Sequence, residues 1–286
     1  MKIWQHLFPI TVMSRVLEVS CSGYYAWADR QPSKRACEDE RLKIAIRAAH
    51  TQSRHTYGTR RLQPQLAADG FQAGRDRIAR LRREMGLRCR QKRKFKATTN
   101  SRHDLPVAPN LLEQTFTPQG PNQIWVTDLT YIATDEGWLY LAGIKDVFTC
   151  EIVGYAMGAR MTQELTAAAL ARAVQRKRPA PGLIHHSDRG SQYCARDYRD
   201  ILKKHGLTAS MSRKGNCFDN APMESFWGSL KNELVHHERY ASRAQAMASI
   251  QEYIEIFYIR QRRHSRLGYL SPAVFAQQFD RQPLAA

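Results

Sequence analysis

The chain has 286 residues, of which 43% are hydrophobic and 24% charged, the composition of a soluble globular protein with one large core or two domains of ordinary size. No run of 18 apolar residues occurs and the N-terminus makes a poor signal peptide, which excludes a membrane protein and points to the cytoplasm; six cysteines without a C-x-x-C pair exclude a disulfide framework and a zinc ribbon. The formal net charge of +18 is uneven, with 23 Lys+Arg against 9 Asp+Glu in residues 1–105 and 21 against 17 thereafter, so the front of the chain favours a polyanion, nucleic acid above all. A plain solubility charge is the alternative on charge alone.

Residues 1–34 read as a small helical segment ending in the polar linker "DRQPSKR", with a weak helical unit over 11–28. Residues 35–90 read as helices: "EDERLKIAIRAAH" carries Leu42, Ile44, Ala45, Ile46 and Ala49 beside charges, "GTRRLQPQLAADG" stops at Gly70, and "GRDRIARLRREMGL" stops at Gly86. Helix, glycine turn and basic helix make a helix-turn-helix unit, whose second helix would offer Arg75, Arg77, Arg80, Arg82 and Arg83 to DNA. Pro64 predicts a break or kink in the middle helix. A three-helix core that never touches DNA has the same pattern. Residues 91–118 read as a basic linker, with Lys92, Arg93 and Lys94 either lying along phosphates or simply disordered.

From residue 119 the pattern changes to strands. The β-branched and aromatic runs 123–134, 138–149 and 151–159 form a meander, followed by a helix over 162–177, a strand over 182–188, a helix near 195–205, a strand near 207–212 and a helix opening at "GNCFDNAPMESFWGSLKNEL". The expectation is an α/β fold with a mixed sheet covered by helices.

Asp128 interrupts the apolar row Ile124, Val126, Thr130 and Ile132, where an unpaired charge is costly, so it must be paired, protonated or metal-bound. Asp188 ends an apolar strand just before the "RGSQY" turn, a usual position for a site residue, with Arg189, Ser191 and Gln192 alongside. In the last helix Met223, Trp227, Leu230 and Leu234 form the packing stripe. Asn220, Glu224, Gly228 and Lys231 form a second stripe, placing Glu224 and Lys231 about 10 Å apart along one side. Asp219 or Asn220 is expected to cap that helix, with Pro222 in its first turn. Two aspartates and a glutamate suit Mg²⁺ or Mn²⁺ if they meet in space, as a pair of ions for phosphoryl transfer; if they do not, they are three unrelated surface acids.

The stretches "WVTDLTYI", "HSDRGSQY" and "GNCFDNAPMESFWGSLKNEL", with 35 residues between Asp188 and Glu224 and Lys231 seven beyond, resemble the DDE transposases of bacterial insertion sequences. The resemblance is to the downstream-frame (OrfB-type) protein of insertion-sequence family three, whose core is similar to retroviral integrase and ribonuclease H. It extends to "VSCSGYYAW", "YGTRRL" and "RRHSRLGYLSP", departing where Ile259 stands in place of the family's usual Asn. It implies a ribonuclease-H-like mixed five-stranded sheet over residues 119–280, ending in a helical tail, behind an all-α helix-turn-helix region. It implies Asp128, Asp188 and Glu224 as catalytic residues holding two Mg²⁺ ions, with Mn²⁺ able to substitute, and Lys231, with Asn220 and Arg189, contacting DNA. The implied activity is cleavage of the element's terminal inverted repeats and strand transfer into target DNA. The implied assembly is a homo-oligomer, a dimer or higher, with an upstream-frame partner protein or fusion segment. His50 and His55 lack the cysteines of a zinc module, and His185, His186, His236 and His237 are read as structural or solvated, His186 alone lying close enough in sequence to touch the site. The rival readings are a DNA-binding regulator that no longer cuts, against which the complete triad argues, and a ribonuclease-H-type nuclease, which leaves the basic front region without a use.

Overall fold

Ser20 and Ser33 each offer a side-chain oxygen to a backbone N–H three residues on, Gly23 at 2.9 Å and Ala36 at 3.2 Å, and so start the second and third helices of the chain. The structure, a computed structural model, describes residues 1–90, 106–213 and 217–281. Helices α1 (Ile10–Val16) and α2 (Cys21–Ala28) come first, followed by α3 (Lys34–Gln52), α4 (Thr59–Ala68) and α5 (Arg75–Glu84). Leu42, Ile46 and Ala49 of α3 join Leu62 and Leu66 of α4 and Ile78 and Leu81 of α5 in one buried cluster. Ile44, expected among these apolar positions, faces solvent, since it lies two residues and therefore about 200° from Leu42 and from Ile46 on the helix. Of the break or kink expected at Pro64, the break does not occur: α4 runs through it.

Five strands follow: β1 (Ile124–Thr134), β2 (Gly137–Asp146), β3 (Ile152–Gly158), β4 (Ile184–Ser187) and β5 (Thr208–Met211). The sheet order is β3-β2-β1-β4-β5, with β2 antiparallel to both β1 and β3 and with β4 and β5 parallel to β1. This is the expected mixed, ribonuclease-H-like sheet. The first turn depends on Gly137, whose φ of +104° suits glycine alone. Helix α6 (Gln163–Lys177) lies on β2 and β3 so closely that a Cβ on Gly154 would stand 2.5 Å from the Ala169 carbonyl oxygen. With α7 (Ser191–Cys194) and α8 (Arg196–Lys204) it covers one face, over Trp125, Ala142, Ile144 and Val153.

The other face carries Val126, Ile132, Leu139 and Leu141, and is covered by α9 (Ala221–Glu233), α10 (Arg243–Glu252) and a π-helix (Tyr253–Gln261) ahead of α11 (Pro272–Arg281). Met223, Trp227, Leu230 and Leu234 are buried as the periodicity predicts, joined by Phe226. Residues 106–115, within the expected linker, are docked rather than loose: the Leu111 N–H donates to Ser210 Oγ at 2.9 Å and Leu112 is buried.

Between α9 and the π-helix lies an enclosed ion pair. Arg262 donates from Nε to Glu233 Oε2 at 2.8 Å and from a terminal nitrogen to Oε1 at 2.7 Å, and Tyr253 O–H donates to the same carboxylate at 2.8 Å. The next residue reaches the front region, where the Arg263 N–H donates to Tyr57 Oη at 2.6 Å and its side chain to Gln65 Oε1 at 2.8 Å. Breaking a buried pair by removing one partner leaves an uncompensated charge, so Glu233→Ala should cost about 3–5 kcal/mol in denaturant unfolding. Replacing both Glu233 and Arg262 with apolar residues should recover most of it. A loss under about 1 kcal/mol, the range of exposed pairs, would show that the pair is not structurally important.

Candidate active site

Pairing between β1 and β4 ends at Val126 opposite His186, and Asp128 comes two residues later, half-buried, opposite Gly143 of β2. Asp128 Oδ1 accepts from its neighbour's Leu129 N–H at 2.8 Å, and Oδ2 accepts from the Trp227 indole N–H of α9 at 3.0 Å. That second bond needs α9 close to the sheet, and Gly143 allows it: a Cβ there would stand 2.6 Å from the Met223 methyl and 2.9 Å from the Trp227 ring. The Asp128 carboxyl is pushed up to about 7, first by burial, then by the charge of Asp188 and less by that of Glu224, while the two N–H donors pull it down.

Asp188 follows β4 directly, and its Oδ1 accepts from the Gly190 N–H at 2.9 Å. Glu224 is exposed in the first turn of α9, near the positive end of the helix, and its carboxyl is raised by the protein around it. Lys231, on the same side of α9, stands with Nζ 5.2 Å from the centroid of the Tyr131 ring; burial lowers its ammonium and the Asp128 charge raises it. Asp188, Glu224 and Lys231 therefore all act electrostatically on Asp128. Among the described residues no three His, Cys, Asp or Glu side chains are close enough to enclose a metal ion, so the carboxylates share a field without forming a closed ligand set. All three offer hard oxygens, and a divalent cation would offset both the burial and the repulsion that raise Asp128.

The remaining expected contact residues sort differently. Asn220 is buried and donates its amide to the Thr127 carbonyl at 3.0 Å, binding the start of α9 to β1; neither it nor Asp219 caps the helix with its side chain. Asp219 is instead wholly buried, accepting from Asn110 and Gln114 and from the Arg213 backbone and guanidinium, which hold its carboxyl far below the usual carboxylate range. Arg189 donates to the Ser212 carbonyl at 2.7 Å. Arg77 and Arg80 turn back to α3, pairing with Asp39 at 2.6 Å each, while Arg82 donates to Thr59 and Cys89. Arg75 and Arg83 are exposed. Lys92, Arg93 and Lys94 lie outside the described residues. His186 is structural: its two ring nitrogens meet Ser210 and Ser212.

Three contributors were not singled out from the sequence. Trp227 had been assigned to the packing stripe, which overlooks its N–H. Lys145, buried on β2, donates to the Pro222 carbonyl at 2.9 Å and fixes the first turn of α9 beside Glu224. Gly143 carried a usable signal, since a glycine inside a strand marks a close backbone approach.

Comparison with known proteins agrees with this architecture. Residues 38–95 match an HTH-like domain, and residues 118–217 and 224–279 match two integrase core domain families. An integrase core behind an HTH-like domain defines a DNA-binding transposase or integrase, a class of polynucleotidyl transferase. The chain is 66% identical over 93% of its length to an insertion element IS600 31 kDa protein of Shigella sonnei, covering 98% of that protein. It is 44% identical over 97% of its length to transposase InsF of insertion sequence IS3A from Escherichia coli strain K12, covering 96% of it. Among solved structures, the HTLV-2 integrase catalytic core in complex with magnesium is similar with a TM-score of 0.41 and 17% identity, covering 50% of this chain and 89% of that one. The chain belongs to the transposases of the IS3 family of insertion sequences. No helix among the described residues is long and apolar enough to cross a membrane.

The raised Asp128 carboxyl has a thermodynamic consequence. Its folded-state value of about 7 lies above the unstructured value of 3.8, so folding takes up a proton between them and ionisation weakens the fold as pH rises from about 4 to about 7. Asp128→Asn should therefore gain stability over the parent across that interval and keep the gain above it. His185 and His186, held neutral by burial with values of about 3 and about 4, act with the opposite sign but equally in both proteins. Parallel pH profiles in denaturant unfolding would show that the Asp128 carboxyl is not raised in the folded protein.

Proposed function

We propose that Asp128, Asp188 and Glu224 are the catalytic, metal-holding residues of this transposase, and that it cuts the inverted-repeat ends of its element and joins them to target DNA. The observation that supports this most directly is the field on Asp128, where two further carboxylates, from β4's end and from α9, act on one half-buried acid beyond the β1–β4 pairing. When bound there, two Mg²⁺ ions, or Mn²⁺ in their place, supply the Lewis acidity that eases attack on a phosphodiester. Water attacks at the element end and frees a 3′-hydroxyl, which then attacks a second phosphodiester in line, so no covalent protein intermediate is required. Trp227 holds the Asp128 carboxylate in one orientation through its N–H, and Lys145 and Asn220 hold α9 so that Glu224 stays beside it. Lys231 gives a phosphate its positive charge. Arg189 and Asn220, first assigned to DNA, act in this reading through the backbone they bind.

The domain reading follows the chemistry: residues 1–34 a helical lead, 35–90 the helix-turn-helix unit that grips DNA, 91–118 a linker, and 119–280 the catalytic core and its tail. Exposed Arg75 and Arg83, rather than the paired Arg77 and Arg80, are the helix α5 arginines offered to phosphate. The protein works at the nucleoid, in the cytoplasm, where the inverted repeats and the target lie. Pairing two ends takes a dimer or a larger assembly, with an upstream-frame protein or fusion segment as its further partner.

Glu224→Gln should abolish cleavage of labelled element-end DNA in the presence of Mg²⁺ and leave end binding nearly intact; cleavage that survives the substitution refutes the role of Glu224. Binding to the same DNA should weaken by about 10³-fold or more between 50 and 200 mM salt if six or more phosphates are contacted. Arg75→Ala and Arg83→Ala should each reduce the log–log salt slope by about one, and an unchanged slope removes both residues from the interface.

A further inference from the structure

Beyond Asp128 the strand β1 carries a second feature that the proposed chemistry does not use. Tyr131 and Trp138 lie on neighbouring strands with ring centroids 4.9 Å apart and planes at 79°, and they are 40% and 50% exposed, large values for such side chains in a sheet. An edge-to-face pair leaves a ring face open to a third flat group. Lys231 brings its ammonium to 5.2 Å from the Tyr131 centroid. The acids at the tip of the hairpin do not oppose that cation, because each has an arginine: Asp135 meets Arg239 at 3.3 Å and Glu136 meets Arg243 at 4.0 Å. Arg243 also donates to the Trp138 carbonyl at 3.0 Å, fixing the strand that bears the ring.

Two open aromatic rings with one ammonium fit a nucleotide, the base on the rings and its phosphate on the cation. An apolar protein segment would gain nothing from Lys231. Tyr131 follows Asp128 by three residues, about 10 Å along the strand and on its other face. The two are linked around the edge of β1 that lies beyond its pairing with β4, where Lys231 stands near the Tyr131 ring and feels the Asp128 charge. Three nucleotide steps of a stacked strand also cover about 10 Å. We propose that Tyr131 and Trp138 form a ledge for one base of the DNA, unstacked from its duplex two or three nucleotides from the scissile phosphodiester, with Lys231 on the adjoining phosphate. The proposal rests on Asp128 being the catalytic centre. The ledge would hold the end open so that the strand can reach the carboxylates.

The test uses full-length Glu224→Gln protein, which keeps the DNA uncut, bound to element-end DNA with 5-iodouracil placed two or three nucleotides from the scissile bond. Irradiation should crosslink the base to Tyr131 or Trp138, as mapped on the peptides. In a second arm, a mismatch at that position should tighten end binding to the otherwise unaltered chain by at least about fivefold, the low end of one base stacking on an aromatic ring. The Tyr131→Leu/Trp138→Leu double variant should lose that preference while its thermal midpoint stays close to the parent's. Crosslinks mapping elsewhere, or a mismatch preference that survives in the double variant, overturn the ledge. Cleavage retained by Glu224→Gln would instead count against the catalytic assignment, so the two failures are separable.

Discussion

Carboxylates held near one another repel, and the rest of this molecule serves to keep them there. Burial raises the Asp128 carboxyl most, and that repulsion adds to it, with Asp188 as the stronger neighbour and Glu224 as the weaker. Left to themselves the chains bearing them would move apart, since Glu224 is on a helix that no strand pairing ties to the sheet. What opposes separation is the packing of α9, and its contacts are of three kinds. Close approach is allowed by Gly143, whose missing side chain leaves room for Met223 and Trp227. Direct bonds reach from Asn220 to Thr127, from Lys145 to Pro222 and from Trp227 to Asp128. The far end of the helix is fixed by Glu233 against Arg262.

That far end also joins the two halves of the molecule. Glu233 receives Arg262 and Tyr253 from the C-terminal region and has Arg61 of α4 at 3.8 Å, while Arg263 bonds to Tyr57 and Gln65. The helix carrying Glu224 and Lys231 is thus in contact, through one buried carboxylate, with the HTH-like region. The family motifs "YGTRRL" and "RRHSRLGYLSP" acquire a physical meaning here, because Tyr57 of the first accepts from Arg263 of the second, and Arg61 of the first and Arg262 of the second share Glu233.

Charge is divided between the regions by use as well as by number. In α5, Arg77 and Arg80 stabilise the three-helix cluster by pairing with α3, leaving Arg75 and Arg83 outward. A count of arginines along a helix measures its field and says little about which guanidinium is available, since that depends on which acids the neighbouring helix presents.

Sequence alone determined a large part of this protein. The change from helical to strand periodicity, the order of elements along the chain and the buried stripe of α9 were all legible, because each depends on residues adjacent in the chain or on spacing along one element. The family resemblance supplied the proposed use of the acids, which spacing could not. Tertiary structure alone decided which side chains meet. Trp227 turned from a packing residue into a donor to Asp128, Asn220 and Arg189 turned inward, Asp219 became a buried anchor for Arg213 instead of a cap, and α4 ran through Pro64. Each of these depends on a partner far away in the chain, Trp227 and Asp128 being 99 residues apart, and periodicity holds no information about distances across a fold.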